Sequence, residues 1–298
     1  MSESLRQLHI HLVSDATGET THQLGRAALA QFKNVQVIEH VWTLVRSEAH
    51  LNQIEDSIAK HKGVVLFSLV DRNLRQKMEM MCHRYAVPSV SVLDHITHTI
   101  SKILGQPETG VTGGQHRMDR AYFDRMEALD FAIQHDDGQA LSTVSNADIL
   151  IVGVSRSSKT PTSIYLAHRG YKVANYPLVP GVEMPLDDIP HQSMFIVGLI
   201  KDARSLRQIR RNRLISINES EITDYADEDK IAEEVASARR LFNRHKWPVI
   251  DVSRRSVEET AAAIINLHSR WLEEKETHLE DTNPADINPA AINSEDTN

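Results

Sequence analysis

Apolar positions along this chain follow two alternating patterns. Short runs of mostly β-branched residues predict buried parallel strands, because a strand that is covered on both faces shows no polar alternation. Longer stretches, in which apolar residues return every three or four positions, predict amphipathic helices. The predicted strands cover residues 8–13, 37–44, 63–70, 87–93, 149–152, 172–174, 194–200 and 247–252. The predicted helices cover residues 21–32, 47–61, 72–85, 116–132, 162–168, 229–246 and 256–272.

The regular alternation of strand and helix predicts an α/β protein with parallel sheets and right-handed crossovers. A turn-rich stretch, GQPETGVTGG, interrupts this alternation, and the helix after it ends in His-Asp-Asp-Gly. We therefore predict an N-terminal parallel-sheet α/β domain and a C-terminal P-loop kinase-like α/β domain. The predicted parts are residues 1–104 (N-terminal domain), 105–145 (connecting segment with the helix and the turn), 146–275 (P-loop nucleotide-binding domain) and 276–298 (disordered acidic tail).

The strand predicted at 149–152 leads into a loop of eight residues that ends in Lys-Thr and enters a helix. This is the layout of a phosphate-binding P-loop, in which backbone N–H groups cradle phosphates, the lysine reaches the outer phosphates and the hydroxyl binds Mg²⁺. The pattern expects glycine where Ser158 stands, and a Cβ there narrows the space for a phosphate. The alternative is an ordinary serine-rich turn with a chance Lys-Thr. The candidate nucleotide-binding residues are Gly153, Val154, Ser155, Arg156, Ser157, Ser158, Lys159 and Thr160.

This loop also carries a family resemblance. The segment GVSRSSKTPTSIYLA resembles the signature of the bacterial pyruvate, phosphate dikinase regulatory proteins, which are bifunctional kinase–phosphorylases related to the phosphoenolpyruvate synthase regulators. A serine before the lysine is usual in the first branch, whereas the second carries glycine. Further similar blocks are HLVSDATGET (11–20), EHVWTLVRS (39–47), GVVLFSLVD (63–71), HDDGQ (135–139), ANYPLVPG (174–181) and RRSVEETAAA (254–263).

The resemblance implies an activity that the residues alone do not specify. Members of this family use ADP to phosphorylate a threonine of pyruvate, phosphate dikinase, which inactivates it. They also remove that phosphate with inorganic phosphate and release pyrophosphate. From the motif alone, the chain could equally be a P-loop small-molecule kinase or a non-catalytic nucleotide-sensing module.

Several acidic residues are candidates for the chemistry beside the loop. Asp136 or Asp137 could position or deprotonate the acceptor hydroxyl, although a helix end and turn is the alternative for that segment. Thr160 and Asp202 are candidate Mg²⁺ ligands, since Asp202 follows an apolar strand in the manner of a Walker-B residue. Strand-end aspartates are also common without a metal.

Two further motifs each allow a functional and a purely structural interpretation. The turn at 14–20, SDATGET, follows the first predicted strand, where ligands often bind, but Asp15 or Thr17 could simply cap the next helix. An arginine-rich segment could bind phosphates or an acidic partner, or form a solvated basic face. Its arginines are Arg204, Arg207, Arg210, Arg211 and Arg213.

Composition narrows the class of protein. The formal net charge is −8, and six acidic residues without Lys or Arg lie from Glu276 onward, so the rest of the chain is near −2 and offers no general affinity for nucleic acid. No apolar run approaches the ~18 residues that span a membrane, and the polar N-terminus lacks a signal-peptide core. With Cys82 as the single cysteine, we expect a cytoplasmic protein that binds no membrane. A homodimer is compatible with the sequence.

Overall fold

A computed structural model describes residues 6–112, 120–186, 189–190, 194–216 and 224–281. The chain divides into two compact units, Met1–Arg117 and Met118–Asn298. Each unit contains its own parallel sheet, which confirms the predicted α/β class. The finer division into a connecting segment (105–145) and a disordered acidic tail (276–298) stays a prediction. Residues 282–298 of that tail and residues 116–119 of a predicted helix lie outside the described residues.

The first unit is built around four parallel strands in the order β2-β1-β3-β4. Its strands are β1 (Arg6–Ser14), β2 (Val35–Trp42), β3 (Val64–Ser68) and β4 (Ser89–Ser91). Its helices are α1 (Glu19–Leu29), α2 (Glu48–Lys60), α3 (Arg72–Arg84) and α4 (Asp94–Leu104). Helices α2 and α3 bury an apolar core against one face of this sheet, centred on Ile58, Val65 and Met78.

The second unit repeats this arrangement with the strand order β6-β5-β7-β8, again all parallel. Its strands are β5 (Ile149–Val154), β6 (Val173–Leu178), β7 (Phe195–Ile200) and β8 (Val249–Asp251). Its helices are α5 (Arg120–Gln134), α6 (Lys159–Ala167), α7 (Ala203–Ser216), α8 (Glu228–His245) and α9 (Val257–Asp281). Strands β5 and β7 are buried at every position, because separate apolar clusters pack on the two faces of the sheet.

Each sheet has a point at which the strand order reverses. The chain leaves the first strand of each unit to form a neighbour on one side, and it returns to form the next strand on the other side. The carboxyl end of the strand at such a point is where open α/β sheets bind ligands. In the second unit this position belongs to the loop at 153–160, and in the first unit to the turn at 14–20.

Most predicted elements are present, with four differences. Helix α6 begins at Lys159 instead of residue 162, so the Lys-Thr pair forms its first turn. Strand β6 continues to Leu178, where a loop was expected from residue 175, because it pairs with β5 over its whole length. Helix α4 was not predicted, and none of its residues is buried. Helix α9 continues to Asp281, past the expected end near residue 272.

Candidate phosphate-binding site

The loop after β5 curls back on itself before α6 begins. Arg156 and Ser158 have φ values of 68° and 67°, the left-handed region in which a Cβ costs roughly 1–2 kcal/mol. Ser157 is fully buried, and its Oγ donates a hydrogen bond of 2.9 Å to the carbonyl of Val154. Ser158 therefore adopts the left-handed conformation for which the usual motif employs glycine, so the serine is compatible with the predicted loop.

Gly153 lets this turn lie close to the neighbouring strand. A Cβ at this position would stand 2.6 Å from the carbonyl oxygen of Leu199 and 2.8 Å from Oγ of Ser157. Both distances are shorter than real Cβ contacts, and the first atom is rigid backbone. The glycine is therefore required by the packing of β5 against β7.

The start of α6 presents backbone donors at the mouth of the loop. The N–H groups of Ser158, Lys159 and Thr160 have no hydrogen-bond partner among the described residues. Pro161 follows at the third helical position, where the missing N–H removes no helical bond. Unpaired donors at a helix N-terminus, together with the helix dipole, attract anions.

Lys159 lies beneath these donors and is only 5% exposed. Its Nζ donates a hydrogen bond of 3.1 Å to the carbonyl of Val154. Burial lowers the pKa of Lys159 to about 8, and this outweighs the nearby carboxylates of Asp137 and Asp136, which act to raise it. The site therefore holds a poorly solvated ammonium group whose charge a bound phosphate would stabilise.

Asp136 brings a carboxylate to the same helix turn. Its Oδ1 accepts a hydrogen bond of 2.8 Å from Oγ1 of Thr160 and another of 2.6 Å from Nδ2 of Asn175. Asn175 is buried, and its Oδ1 accepts the backbone N–H of Asp137 at 3.1 Å. The predicted catalytic aspartates and the P-loop residues thus lie together, and the side chain of Asn175 in β6 fixes their positions.

The rest of the His-Asp-Asp-Gly turn is held by its own contacts. His135 is buried; its Nδ1 lies 2.9 Å from the carbonyl of Phe131 and its Nε2 lies 2.8 Å from Oγ1 of Thr143. Because both ring nitrogens are engaged, His135 supports the turn and does not act on a substrate. Asp137, with φ 49°, has an exposed side chain, so it remains accessible beside the loop.

A buried arginine supports the other side of the loop. Arg210 is 1% exposed, makes a bidentate ion pair with Glu234 and donates a hydrogen bond of 3.2 Å to the carbonyl of Ser155. Its guanidinium also stacks over the ring of Tyr225, whose hydroxyl lies 3.1 Å from Oγ of Ser155. From the sequence, Arg210 was recognised only as one member of an arginine-rich segment. Leu206 and Leu214, four residues before and after it, are the signal that could have assigned Arg210 to the buried face of α7.

The other arginines of this segment have surface contacts. Arg204 and Arg207 form ion pairs with Glu228, at 3.7 and 2.7 Å. Arg211 and Arg213 are exposed. Apart from Arg210, this helix therefore presents a solvated basic face, one of the outcomes considered from the sequence.

Asp202 occupies a different place from Thr160 and Asp136. Its Oδ1 accepts the backbone N–H of Ser205 at 2.9 Å, so Asp202 caps α7. The hydrogen bonds from Ser205, together with a contribution from Ser253, lower the pKa of this exposed carboxyl. The described contacts of Thr160 do not include Asp202, and the acidic partner of Thr160 is Asp136.

The turn at 14–20 in the first unit is held by a buried carboxylate. Asp15 is 3% exposed, and its Oδ2 accepts the N–H of Val70 at 2.7 Å and the hydroxyl of Thr112 at 3.2 Å. The N-cap of α1 is Gly18, which makes no side-chain capping bond. Asp15 therefore ties the ends of β1 and β3 together, and the alternative that Asp15 or Thr17 caps α1 is wrong.

Within the described part of the chain, no helix combines the length and the apolar character that crossing a bilayer requires. This agrees with the absence of a long apolar run in the sequence.

Comparison with known proteins assigns the chain to a family. Residues 10–265 match the kinase/pyrophosphorylase family. A pyruvate, phosphate dikinase regulatory protein from Rhizorhabdus wittichii is 51% identical over 261 residues, which cover 88% of this chain and 95% of that protein. Proteins of the same name from Erythrobacter litoralis and Caulobacter vibrioides are 49% and 50% identical, over 89% and 88% of this chain and 95% and 83% of their own lengths.

A solved periplasmic ribose ABC transporter structure from Conexibacter woesei matches with a TM-score of 0.24 and 14% identity, over 74% of this chain and 64% of that one. A match at this level supports no inference about fold or function. The family match spans both units, including the loop at 153–160 and the Asp136 turn. The chain belongs to the kinase/pyrophosphorylase family.

Proposed function

We propose that this chain regulates pyruvate, phosphate dikinase through two opposed phosphoryl transfers at the 153–160 loop. One transfer moves a phosphoryl group from ADP to a threonine of the dikinase and inactivates it. The other moves that phosphoryl group to inorganic phosphate, forms pyrophosphate and restores the dikinase. The names of the relatives support the target, and the family description supports both reactions.

The forward reaction can be assigned to residues of the site. The threonine oxygen attacks the β-phosphorus of ADP, a new P–O bond forms, and the bond to the bridging oxygen breaks so that AMP leaves. Asp136 or Asp137 accepts the proton of the threonine hydroxyl. Lys159 and the N–H groups at the start of α6 stabilise charge on the transferred group.

The same groups serve the reverse reaction. Inorganic phosphate attacks the phosphorus of the phosphothreonine, the P–O bond to threonine breaks, and pyrophosphate and the free hydroxyl are the products. The leaving threonine oxygen takes up a proton, which the protonated Asp136 or Asp137 supplies. Because pyrophosphate and the diphosphate of ADP carry similar charge, one loop suits both ligands.

A divalent cation fits the pair formed by Thr160 and Asp136. Both side chains offer hard oxygen donors, which Mg²⁺ prefers, and they are already 2.8 Å apart. When bound, Mg²⁺ would neutralise phosphate charge, and Asp137 would then be the carboxylate that exchanges the proton with the threonine. Asp202, the alternative chosen from the sequence, has its carboxylate engaged at the start of α7.

The observation that carries this proposal is the hydrogen bond between Thr160 and Asp136. It joins a carboxylate to the 153–160 loop, close enough to Lys159 to influence its charge. Transfer to a hydroxyl needs such a carboxylate, whereas simple nucleotide binding does not. A non-catalytic sensor would have no use for that carboxylate at the mouth of the loop.

The test is incubation of the purified chain and the dikinase with ADP labelled in the β-phosphate, followed by mapping of phosphothreonine. We expect labelling of one threonine, and loss of that label as pyrophosphate when phosphate is added. Asp136→Asn should reduce both rates by about 10²-fold or more while ADP still binds. Asp130→Asn, an exposed aspartate on α5, is the matched control and should retain full activity.

Each alternative function predicts a distinct result in the same experiment. Saturable ADP binding without label on the dikinase would indicate a nucleotide sensor. Label that appears only on a small molecule would indicate a small-molecule kinase. Either result would overturn the proposal.

A further inference from the structure

Four histidine rings are stacked together in the first unit. His9 and His11 lie on the same face of β1, and His40 lies on β2 directly opposite His11. His61 follows the last residue of α2. The ring centroids of His11 and His40 are 4.5 Å apart, and those of His9 and His61 each lie 5.1–5.3 Å from their neighbours in the stack.

Three of these rings bring their nitrogen atoms close to one another. His9, His40 and His61 each offer a ring nitrogen within 4.8 Å of the nitrogens of the other two. Nδ1 of His9 is 3.0 Å from Nε2 of His40, so a single proton joins these two rings. Nitrogens bound at about 2.1 Å to a tetrahedral metal ion stand about 3.4 Å apart, so small side-chain rotations bring all three into range.

We infer that His9, His40 and His61 form a binding site for a divalent transition-metal ion of the zinc class. The ion replaces the proton between His9 and His40 and joins β1, β2 and the end of α2. Three imidazole ligands leave a fourth tetrahedral position for water.

The choice of metal follows from the ligand set. Imidazole nitrogen favours Zn²⁺, Co²⁺, Ni²⁺ and Cu²⁺, whereas Mg²⁺ and Ca²⁺ require oxygen ligands. The cluster of three contains no carboxylate. The Mg²⁺ that the proposed phosphoryl transfer would use therefore does not compete for this position.

The surroundings hold the three rings in place. His11 is fully buried, and its Nε2 donates a hydrogen bond of 2.9 Å to the carbonyl of His61, which positions the segment that carries the third ligand. Nδ1 of His11 is buried without a partner among the described residues. The carboxyl end of the α2 dipole lies at His61 and favours a bound cation.

This site does not depend on the proposed function, because all four histidines belong to the first unit and the 153–160 loop belongs to the second. Its failure would leave the phosphoryl-transfer proposal unchanged, and the converse also holds.

The test uses the full-length chain without a polyhistidine tag, stripped with a chelator and titrated with Co²⁺. We expect one equivalent to bind, with the visible absorption of a four-coordinate cobalt ion, and Zn²⁺ to displace it. His61→Gln is the main variant, because this exposed side chain can be replaced without opening the core. It should weaken Co²⁺ binding by about tenfold or more, and His40→Gln should do the same.

His98→Gln on α4 is the matched control, since this exposed histidine of the same unit lies outside the cluster. It should bind Co²⁺ as the unmodified chain does. Zn²⁺ should also raise the melting temperature of the unmodified chain and of His98→Gln, but not that of His61→Gln. Absence of stoichiometric binding, or binding that His61→Gln and His40→Gln leave intact, would overturn the inference.

Discussion

At the scale of one residue, the buried ammonium of Lys159 destabilises the unliganded fold. The unliganded fold buries its ammonium with one carbonyl partner, and the pKa falls from 10.5 to about 8 as a result. A shift of this size corresponds to about 3 kcal/mol that the folded chain loses when Lys159 is charged. A bound phosphate would offset this loss of stability by pairing with the ammonium.

We therefore predict that Lys159→Met stabilises the unliganded protein by about 1–3 kcal/mol at pH 7, although it removes phosphoryl transfer. Because the folded pKa lies below the unfolded one, the penalty on the unmodified chain is complete below pH 8 and disappears as pH rises to 10.5. The advantage of the variant should shrink over the same range. Urea unfolding at pH 7, 8.5 and 10 measures this difference.

The control for that measurement is Lys62→Met, which removes an exposed lysine of the first unit. It should change stability by less than about 0.5 kcal/mol at every pH. A destabilised Lys159→Met, or an advantage that does not depend on pH, would contradict the prediction.

Asn175 is the residue that sequence reasoning missed at this scale. The segment around it was expected to be a loop, but it belongs to β6, and its buried amide contacts both Asp136 and Asp137. A polar residue in an apolar strand that ends near a candidate site is the signal that could have identified it. The order of strand, turn and helix around residues 153–160 was predicted from the sequence, because local pattern alone determines it, and nucleotide binding by this loop stays a prediction.

At the scale of elements, α7 and α8 are joined by a buried ion pair. Arg210 binds both carboxylate oxygens of Glu234 and also reaches the carbonyl of Ser155 in the loop. Removing one partner of such a pair leaves the other charge buried without compensation, which costs more than the pair contributes as a whole.

We predict that Arg210→Met lowers the free energy of unfolding by about 3–5 kcal/mol. Arg211→Met, the exposed neighbour on the same helix, is the matched control and should stay within about 0.5 kcal/mol. Chemical denaturation of both variants gives the comparison. The double variant Arg210→Met/Glu234→Leu should recover part of the loss, and equal losses for Arg210→Met and Arg211→Met would contradict the assignment.

The sequence predicted elements where local pattern decides their structure. The strands of both sheets and most helices follow from apolar periodicity. Local pattern also marks the start of α9, where Ser256 and Glu259 form a capping box through two reciprocal hydrogen bonds. Helix α4 was missed although Ile96, Ile100 and Ile103 recur at helical spacing, and in the structure these three side chains are exposed. Leu206 and Leu214 indicate the buried face of α7, but the ion pair of Arg210 could not be predicted because its partner Glu234 lies 24 residues away.

At the scale of the whole molecule, two sheets with the same strand order carry different chemistry. The second unit carries the proposed phosphate-binding loop at 153–160, whereas Asp15 occupies the equivalent position of the first unit. The histidine cluster lies elsewhere on the first sheet. Each ligand should therefore affect its own unit.

We predict that hydrogen exchange separates the two sites. ADP should slow amide exchange in residues 153–162 and 135–138, because it satisfies the donors at the start of α6. Zn²⁺ should slow exchange in residues 9–11, 38–41 and 60–63 instead. Mass spectrometry of peptides with each ligand alone and with both provides the measurement, and exchange that ADP slows only in the first unit would contradict the assignment.

The close approach at Gly153 has a consequence for how the gene can vary. Any base change in the first two positions of a glycine codon gives this residue a side chain or stops translation, and every side chain begins with the Cβ that would meet the carbonyl of Leu199 at 2.6 Å. That codon can therefore drift only through silent third-base changes. A saturation library at this position should return glycine alone after selection for folded protein.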